Sequence, residues 1–181
     1  MQQSDREDFR AIVIEACRHV LPQCDLPIAN DPQQLEALVE RSEQLAAFIG
    51  FSADALRGSV IMLVPLELVR LSYPLPLKSG IEGHLELFDW CGEIVNRLLG
   101  RIKAGLAVRG VEVEPSTPKT MLGEQLQFMI TEPSNVCALR FDCRASRLAV
   151  VVDAVSSSED VLFRAPDGAL TSQPEGALLF L

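Results

Sequence analysis

Asp89, Glu93, Asn96, Gly100 and Lys103 are the residues whose types and spacing could do chemistry. At roughly 100° per residue of helix, the last four all fall within about 40° of Asp89. One stripe then carries two carboxylates, a carboxamide, a bare backbone position and a cation. A carboxylate can pair with a cation, and a carboxamide both donates and accepts hydrogen bonds. Leu87, Cys91, Ile94, Leu98 and Ile102 fall on the opposite side, flanked by Phe88, Val95 and Leu99. The helix therefore has a wide apolar face for a core and a narrow polar stripe for solvent or a partner. A plain solvated face would more naturally hold Glu, Lys and Ala. Gly92 and Gly100 each cost about 1 kcal/mol relative to alanine inside a helix, and Asn96 is a mediocre helix former. Gly100 removes a side chain in line with Asn96, which lets another surface approach closely.

The elements around this stripe can be read from periodicity and punctuation. Ser79-Gly-Ile-Glu82 has the spacing of a capping box and opens the long helix, about Ile81 to Ala107. A first helix is expected over Asp5 to Val20, where Phe9, Val13, Ala16 and Val20 recur at steps of three and four. Pro22 is expected to limit it. Leu21 to Gln34 reads as a loop. Asp31-Pro32 can cap a short helix through Leu35, Leu38 and Val39, or the same stretch can be extended. Gln44 to Phe51 and Ser59 to Val64 read as strands, with Ser52 to Gly58 turning between them. Val60 to Val64 is continuously apolar, as in a strand buried on both faces. Pro65 ends it and opens a short helix through Leu66, Val69 and Tyr73. After Gly110, strands are expected at Val111 to Pro115, Gln125 to Thr131, Asn135 to Cys143 and Leu148 to Val155. Their short connections favour antiparallel pairing. Asp167-Gly168 hints at a last hairpin in the tail.

Composition excludes several classes. A net charge of −9 argues against a nucleic-acid surface, which needs clustered Lys and Arg. No apolar run reaches the ~18 residues of a membrane span, and MQQSDRED is not a secretory leader. The five cysteines, Cys17, Cys24, Cys91, Cys137 and Cys143, are odd in number and form no C-x-x-C. They suggest neither a disulfide framework nor a zinc site, and they point to a reducing cytoplasm. Cys91 falls on the core face, so it is not expected to be a nucleophile. His19 and His84 have no ligand-like neighbours and read as surface or helix-end residues. No G-x-S-x-G, Walker or H-E-x-x-H pattern occurs. Glu112 and Glu114 alternate with Val111 and Val113, as on a half-exposed strand.

Asp89-Trp-Cys-Gly-Glu93-Ile-Val-Asn96, followed by Gly100, resembles the D-x-x-x-E-x-x-N…G signature of the CheC/CheX/FliY chemotaxis phosphatases. Glu114-Pro-Ser-Thr-Pro-Lys-Thr-Met-Leu-Gly123 resembles the segment that follows the helix in the CheX branch. The resemblance covers roughly Asp5 to Val155. It implies an α+β fold, an antiparallel sheet with two long helices packed on it. It divides the chain into a CheX-like domain, 1–156, and a C-terminal extension, 157–181, which could also be a last hairpin of that domain.

The resemblance also implies an activity: removal of the aspartyl phosphate from a phosphorylated CheY-like receiver protein in the cytoplasm. Asn96 would orient the attacking water, since an amide is no strong base. Glu93 would pair with the receiver's lysine. Asp89, Gly100 and Lys103 would lie on the partner-binding face. No metal site is expected in this chain; Mg2+ would sit on the receiver. Some family members carry E-x-x-N on two helices. Here Glu15-Ala-Cys-Arg18 places Arg18 where the asparagine would be, so one active surface per chain is expected. Pairing into a homodimer is implied by the resemblance alone. The alternative is a catalytically silent binding or scaffold module for a signalling partner. Binding that survives Glu93→Ala and Asn96→Ala, without turnover in the wild type, would mark that alternative.

Overall fold

Alternation is clearest in Glu43–Ser52, where Leu45, Ala47, Ile49 and Phe51 are buried against the main core. This stretch is β2 in a computed structural model that describes residues 3–29, 32–34, 42–54, 56–124, 126 and 136–156. In chain order the elements are α1 (Gln3–Gln23), β1 (Gln33–Gln34), β2, β3 (Leu56–Pro65), α2 (Leu66–Ser72), α3 (Ile81–Ala107), β4 (Glu114–Pro115), β5 (Lys119–Glu124), β6 (Val136–Cys143) and β7 (Ser146–Ser156).

The strands form one antiparallel sheet in the order β1-β6-β7-β3-β2-β4. β5 pairs with the same edge of β2 as β4, further along, from Glu43↔Glu124 to Phe48↔Lys119. One face of the sheet carries α1 and α3, and a single core joins them. Val13, Leu21, Ile94, Leu98 and Ile102 from the helices meet Ile49, Met62, Val150 and Phe141 from the strands. On the other face Ala46, Leu63 and Ala149 are buried, with Leu126 packed on them. The expected α+β architecture, an antiparallel sheet with two long helices on it, is therefore the one observed. α1 and α3 approach closely at Gly105, where an added Cβ would lie 2.6 Å from Cγ2 of Ile12. Only a glycine leaves that room.

Several boundaries differ from expectation. α1 runs through Pro22 instead of ending before it. A proline this near the end forfeits few helical bonds, while Leu21 is fully buried and Cys24 N–H donates to the Val20 and Leu21 carbonyls. The Ser52–Gly58 turn is tighter than expected, because β3 already begins at Leu56. Ser79 does not cap α3. The N-cap is Gly80 at φ +67°, with no side-chain capping bond. Glu82 instead lies 3.8 Å from Lys78 Nζ, and Glu86 reaches back to accept from the Lys78 backbone N–H at 3.1 Å. Val111 and Val113 are buried as expected, yet only Glu114–Pro115 pairs as a strand. Gln33–Gln34 is extended and pairs with β6. The expected helix through Leu35, Leu38 and Val39, most of the Gln125–Thr131 strand, and the tail 157–181 with its Asp167-Gly168 turn lie outside the described residues.

Candidate functional site

α3 is anchored on its apolar side by Leu87, Cys91, Ile94, Val95, Leu98, Leu99 and Ile102, each at most 2% exposed. That packing fixes the phase of the helix, so the opposite stripe must face outward. Asp89, Asn96, Gly100 and Lys103 are exposed and Glu93 is half-buried.

Asp89, Glu93 and Asn96 line one shallow cleft of about 210 Å³, together with Phe88, Gly92, Pro118 and Thr120. The two separated parts of the sequence signature thus meet in space. Pro118 and Thr120 lie over Gly92, whose added Cβ would sit 3.8 Å from each. Ser116 holds this segment to the sheet. Its Oγ accepts from the Gly50 N–H at 2.9 Å, and its own N–H donates to the Gly50 carbonyl at 2.8 Å. Gly100 lies beyond the cleft, with nothing within 4 Å of an added Cβ. Lys103 does not join the cleft. Two turns past Asn96, it borders a separate depression with Asp54, Glu112 and Glu114. Toward the start of the helix, Leu85 and Ile81 continue the face as apolar residues 54% and 74% exposed.

The polar groups of the stripe differ in their surroundings. Asp89 and Asn96 have no hydrogen-bond or ion-pair partner among the described residues, so both are available to a partner. Glu93 is already engaged. Arg97 Nε–H donates to Glu93 Oε1 at 2.7 Å. The Arg97 guanidinium lies 5.6 Å from the centre of the Trp90 ring. Trp90 is held in turn: its Nε1–H donates to Ser72 Oγ at 3.0 Å, Ser72 Oγ–H donates to the Val69 carbonyl at 2.9 Å, and Tyr73 packs edge-on against the indole. The bond to Glu93 raises the Arg97 pKa above its ordinary value, partly offset by burial. Sequence reasoning missed Arg97 and Trp90. The signals were present: an acid four residues before an arginine on one helix face, and an aromatic two turns before that arginine.

The remaining sequence candidates stay out of the site. All five cysteines are buried and free. Burial pushes the Cys91 thiol up to about 12, which suits a core residue and not a nucleophile. His19 is exposed and His84 half-buried. On α1, Glu15 and Arg18 are exposed, and Glu15 lies 3.9 Å from Arg101 of α3. Among the described residues no group of three or more His, Cys, Asp or Glu is placed to hold a metal, and no helix is long and apolar enough to cross a membrane.

The α+β fold, an antiparallel sheet with helices packed on it, is shared with solved CheC-like and CheX proteins. The CheC-like superfamily protein from Shewanella sp. PV-4 superposes with a TM-score of 0.61 at 14% identity, over 85% of this chain and 99% of that one. The chemotaxis protein CheX from Vibrio vulnificus superposes with a TM-score of 0.60 at 19% identity, over 82% and 94%. A chain of the CheX–CheY–BeF3–Mg2+ complex from Borrelia burgdorferi does so with a TM-score of 0.60 at 13% identity, over 83% and 97%. At these identities the likeness concerns the fold. No curated protein matches the chain in sequence. The family model for the chemotaxis phosphatase CheX matches residues 45–144, more than half of the chain. The chain belongs to the CheX chemotaxis phosphatase family.

Proposed function

We propose that the protein docks its α3 stripe onto a phosphorylated CheY-like receiver and accelerates hydrolysis of the receiver's aspartyl phosphate. The observation that carries this reading is the joint exposure of Asn96 and Glu93 in one cleft, with no internal partner for Asn96 among the described residues. The CheX–CheY–BeF3–Mg2+ complex supports the choice of partner, since one of its chains has a fold similar to this one. The exposed Ile81 and Leu85 on the same face also suit a protein-sized surface better than a small molecule.

In this mechanism Asn96 enters the receiver's site and holds a water in line with the phosphorus–oxygen bond. Its amide supplies orientation, and the nucleophile's proton goes to solvent or to phosphate oxygen. Glu93 pairs with a cationic side chain of the receiver and sets the docking angle. Mg2+ belongs to the receiver and neutralises phosphate charge there. Lys103, in its separate depression, is assigned to the outer edge of the docking face, where a charge changes encounter more than turnover. A homodimer and a cytoplasmic location remain part of the proposal through the family resemblance.

The test is phosphate release from a panel of phosphorylated receivers of the same cell, with and without the protein. Acceleration for at least one receiver supports the reading, and spontaneous rates throughout would overturn it. Within that assay Glu93→Ala is expected to raise the receiver concentration for half-maximal rate about tenfold. The maximal rate should change little, because Asn96 is untouched. Stability should shift by less than about 1 kcal/mol, the usual scale of a half-exposed ion pair.

Gly100→Ala separates the two roles of that position. An added Cβ meets nothing within 4 Å, so the helix should gain about 1 kcal/mol, seen as a higher melting temperature. The same methyl group stands where a partner must approach, so affinity for the phosphorylated receiver should fall. A variant that is both more stable and fully active would remove the close-approach role of Gly100.

A further inference from the structure

Among the stripe residues that line the cleft, Glu93 has the most side-chain freedom to lose. A glutamate has three rotatable bonds, and holding one rotamer on binding costs affinity. Here the carboxylate does not stand alone. Oε1 accepts from Arg97 Nε–H at 2.7 Å, and Oε2 has no partner among the described residues. The arginine is itself confined, with its guanidinium over the Trp90 ring at 5.6 Å. The indole is pinned to Ser72 at the end of α2, and the bond from Ser72 Oγ–H to Val69 closes the chain of contacts. As an ion pair between groups 44% and 45% exposed, the contact adds little stability. Its geometry is what matters: a planar guanidinium held over an aromatic face, with its Nε–H on the carboxylate, offers a donor direction that a lysine cannot reproduce.

We propose that Arg97 is a positioning residue for docking: braced on Trp90, it holds the Glu93 carboxylate in one orientation through Oε1 and leaves Oε2 open to a cation on the receiver. This rests on the docking role of Glu93 proposed above. Arg97 does not reach the phosphoryl group in this scheme, and its contribution appears in binding. It also predicts that Trp90 and Ser72 act through the same route, although they lie further from the partner.

Two measurements test it. The first is affinity for a receiver of the same cell loaded with beryllofluoride and Mg2+, together with KM and kcat for the phosphorylated form. Arg97→Ala is expected to weaken binding and raise KM about fivefold, with kcat within about twofold of the wild type. Arg97→Lys keeps the charge without the fork and should recover only part of the loss. In a Glu93→Ala background Arg97→Ala should change nothing further, which a merely structural role would not produce. An unchanged KM, a lowered KM (Arg97 then competing with the receiver's cation), or full additivity with Glu93→Ala would overturn the proposal. The second measurement needs no receiver: three-bond couplings that report χ1 of Glu93. The wild type should show one rotamer and Arg97→Ala an average. Unchanged couplings would sink the positioning role. Absent phosphatase activity with collapsed couplings would instead place the failure in the functional reading.

Discussion

Asn96→Ala is expected to lower the rate of receiver dephosphorylation at saturation by about a hundredfold or more while leaving the protein folded. The size follows from what the amide is asked to do. A nucleophilic water held in line converts a loosely oriented encounter into a near-attack arrangement, and a misplacement of about 1 Å can cost about 10²-fold. Affinity for the receiver should change much less, because Glu93 and the rest of the stripe remain. Loss of folding cannot mimic the result. Asn96 is exposed on α3, has no internal partner among the described residues, and is a poorer helix former than alanine. The melting temperature should therefore hold or rise slightly. Circular dichroism melts and single-turnover phosphate release on the same preparations check both halves. Unaltered turnover in Asn96→Ala would remove the water-orienting role.

Ile94→Ala is expected to cost about 2–5 kcal/mol of stability, the range for emptying a fully buried aliphatic site. Ile94 is 0% exposed and packs in the core shared by α1, α3 and the sheet. It lies between Glu93 and Asn96 in the chain and on the other side of the helix, so it holds the stripe outward by holding the helix down. For a domain of this size the melting temperature should fall by roughly 10 °C. Well below that temperature, catalysis by the folded fraction should survive, although a helix that settles into the cavity would weaken docking. A fall of less than about 2 °C in melting temperature would mean that α3 is not anchored as described. The contrast with Asn96→Ala is the informative part: one variant keeps the scaffold and loses chemistry, and the other does the reverse.

The long helix was legible because two independent signals agreed, an apolar stripe of period 3.6 and a polar stripe opposite it. Its limits, Ile81 and Ala107, are those observed. β2, β3, β6 and β7 were also readable, since their apolar runs face a real core. β5 was not. Lys119–Glu124 buries no side chain fully, and Met121 is 46% exposed. The strand is held by backbone pairing to β2, which leaves no mark in a hydropathy pattern. The capping box failed because Gly80, one residue after Ser79, can adopt φ +67° and so becomes the helix boundary. For the site, helix phase alone placed Asp89, Glu93, Asn96 and Gly100 together. It did not show that Pro118 and Thr120 wall the cleft, which depends on tertiary packing. Nor did it show that Glu93 is braced by Arg97 on Trp90, a contact that needs rotamers as well as spacing.

The central claim is that this face speeds the loss of another protein's acyl phosphate. It is tested most directly by following a phosphorylated receiver after rapid mixing with an excess of the protein, over a range of protein concentrations. The account predicts an exponential decay whose rate rises with concentration, saturates well above the spontaneous rate, and returns to near the spontaneous rate in Asn96→Ala. A decay rate independent of protein concentration, measured where calorimetry shows the complex to be formed, would contradict it.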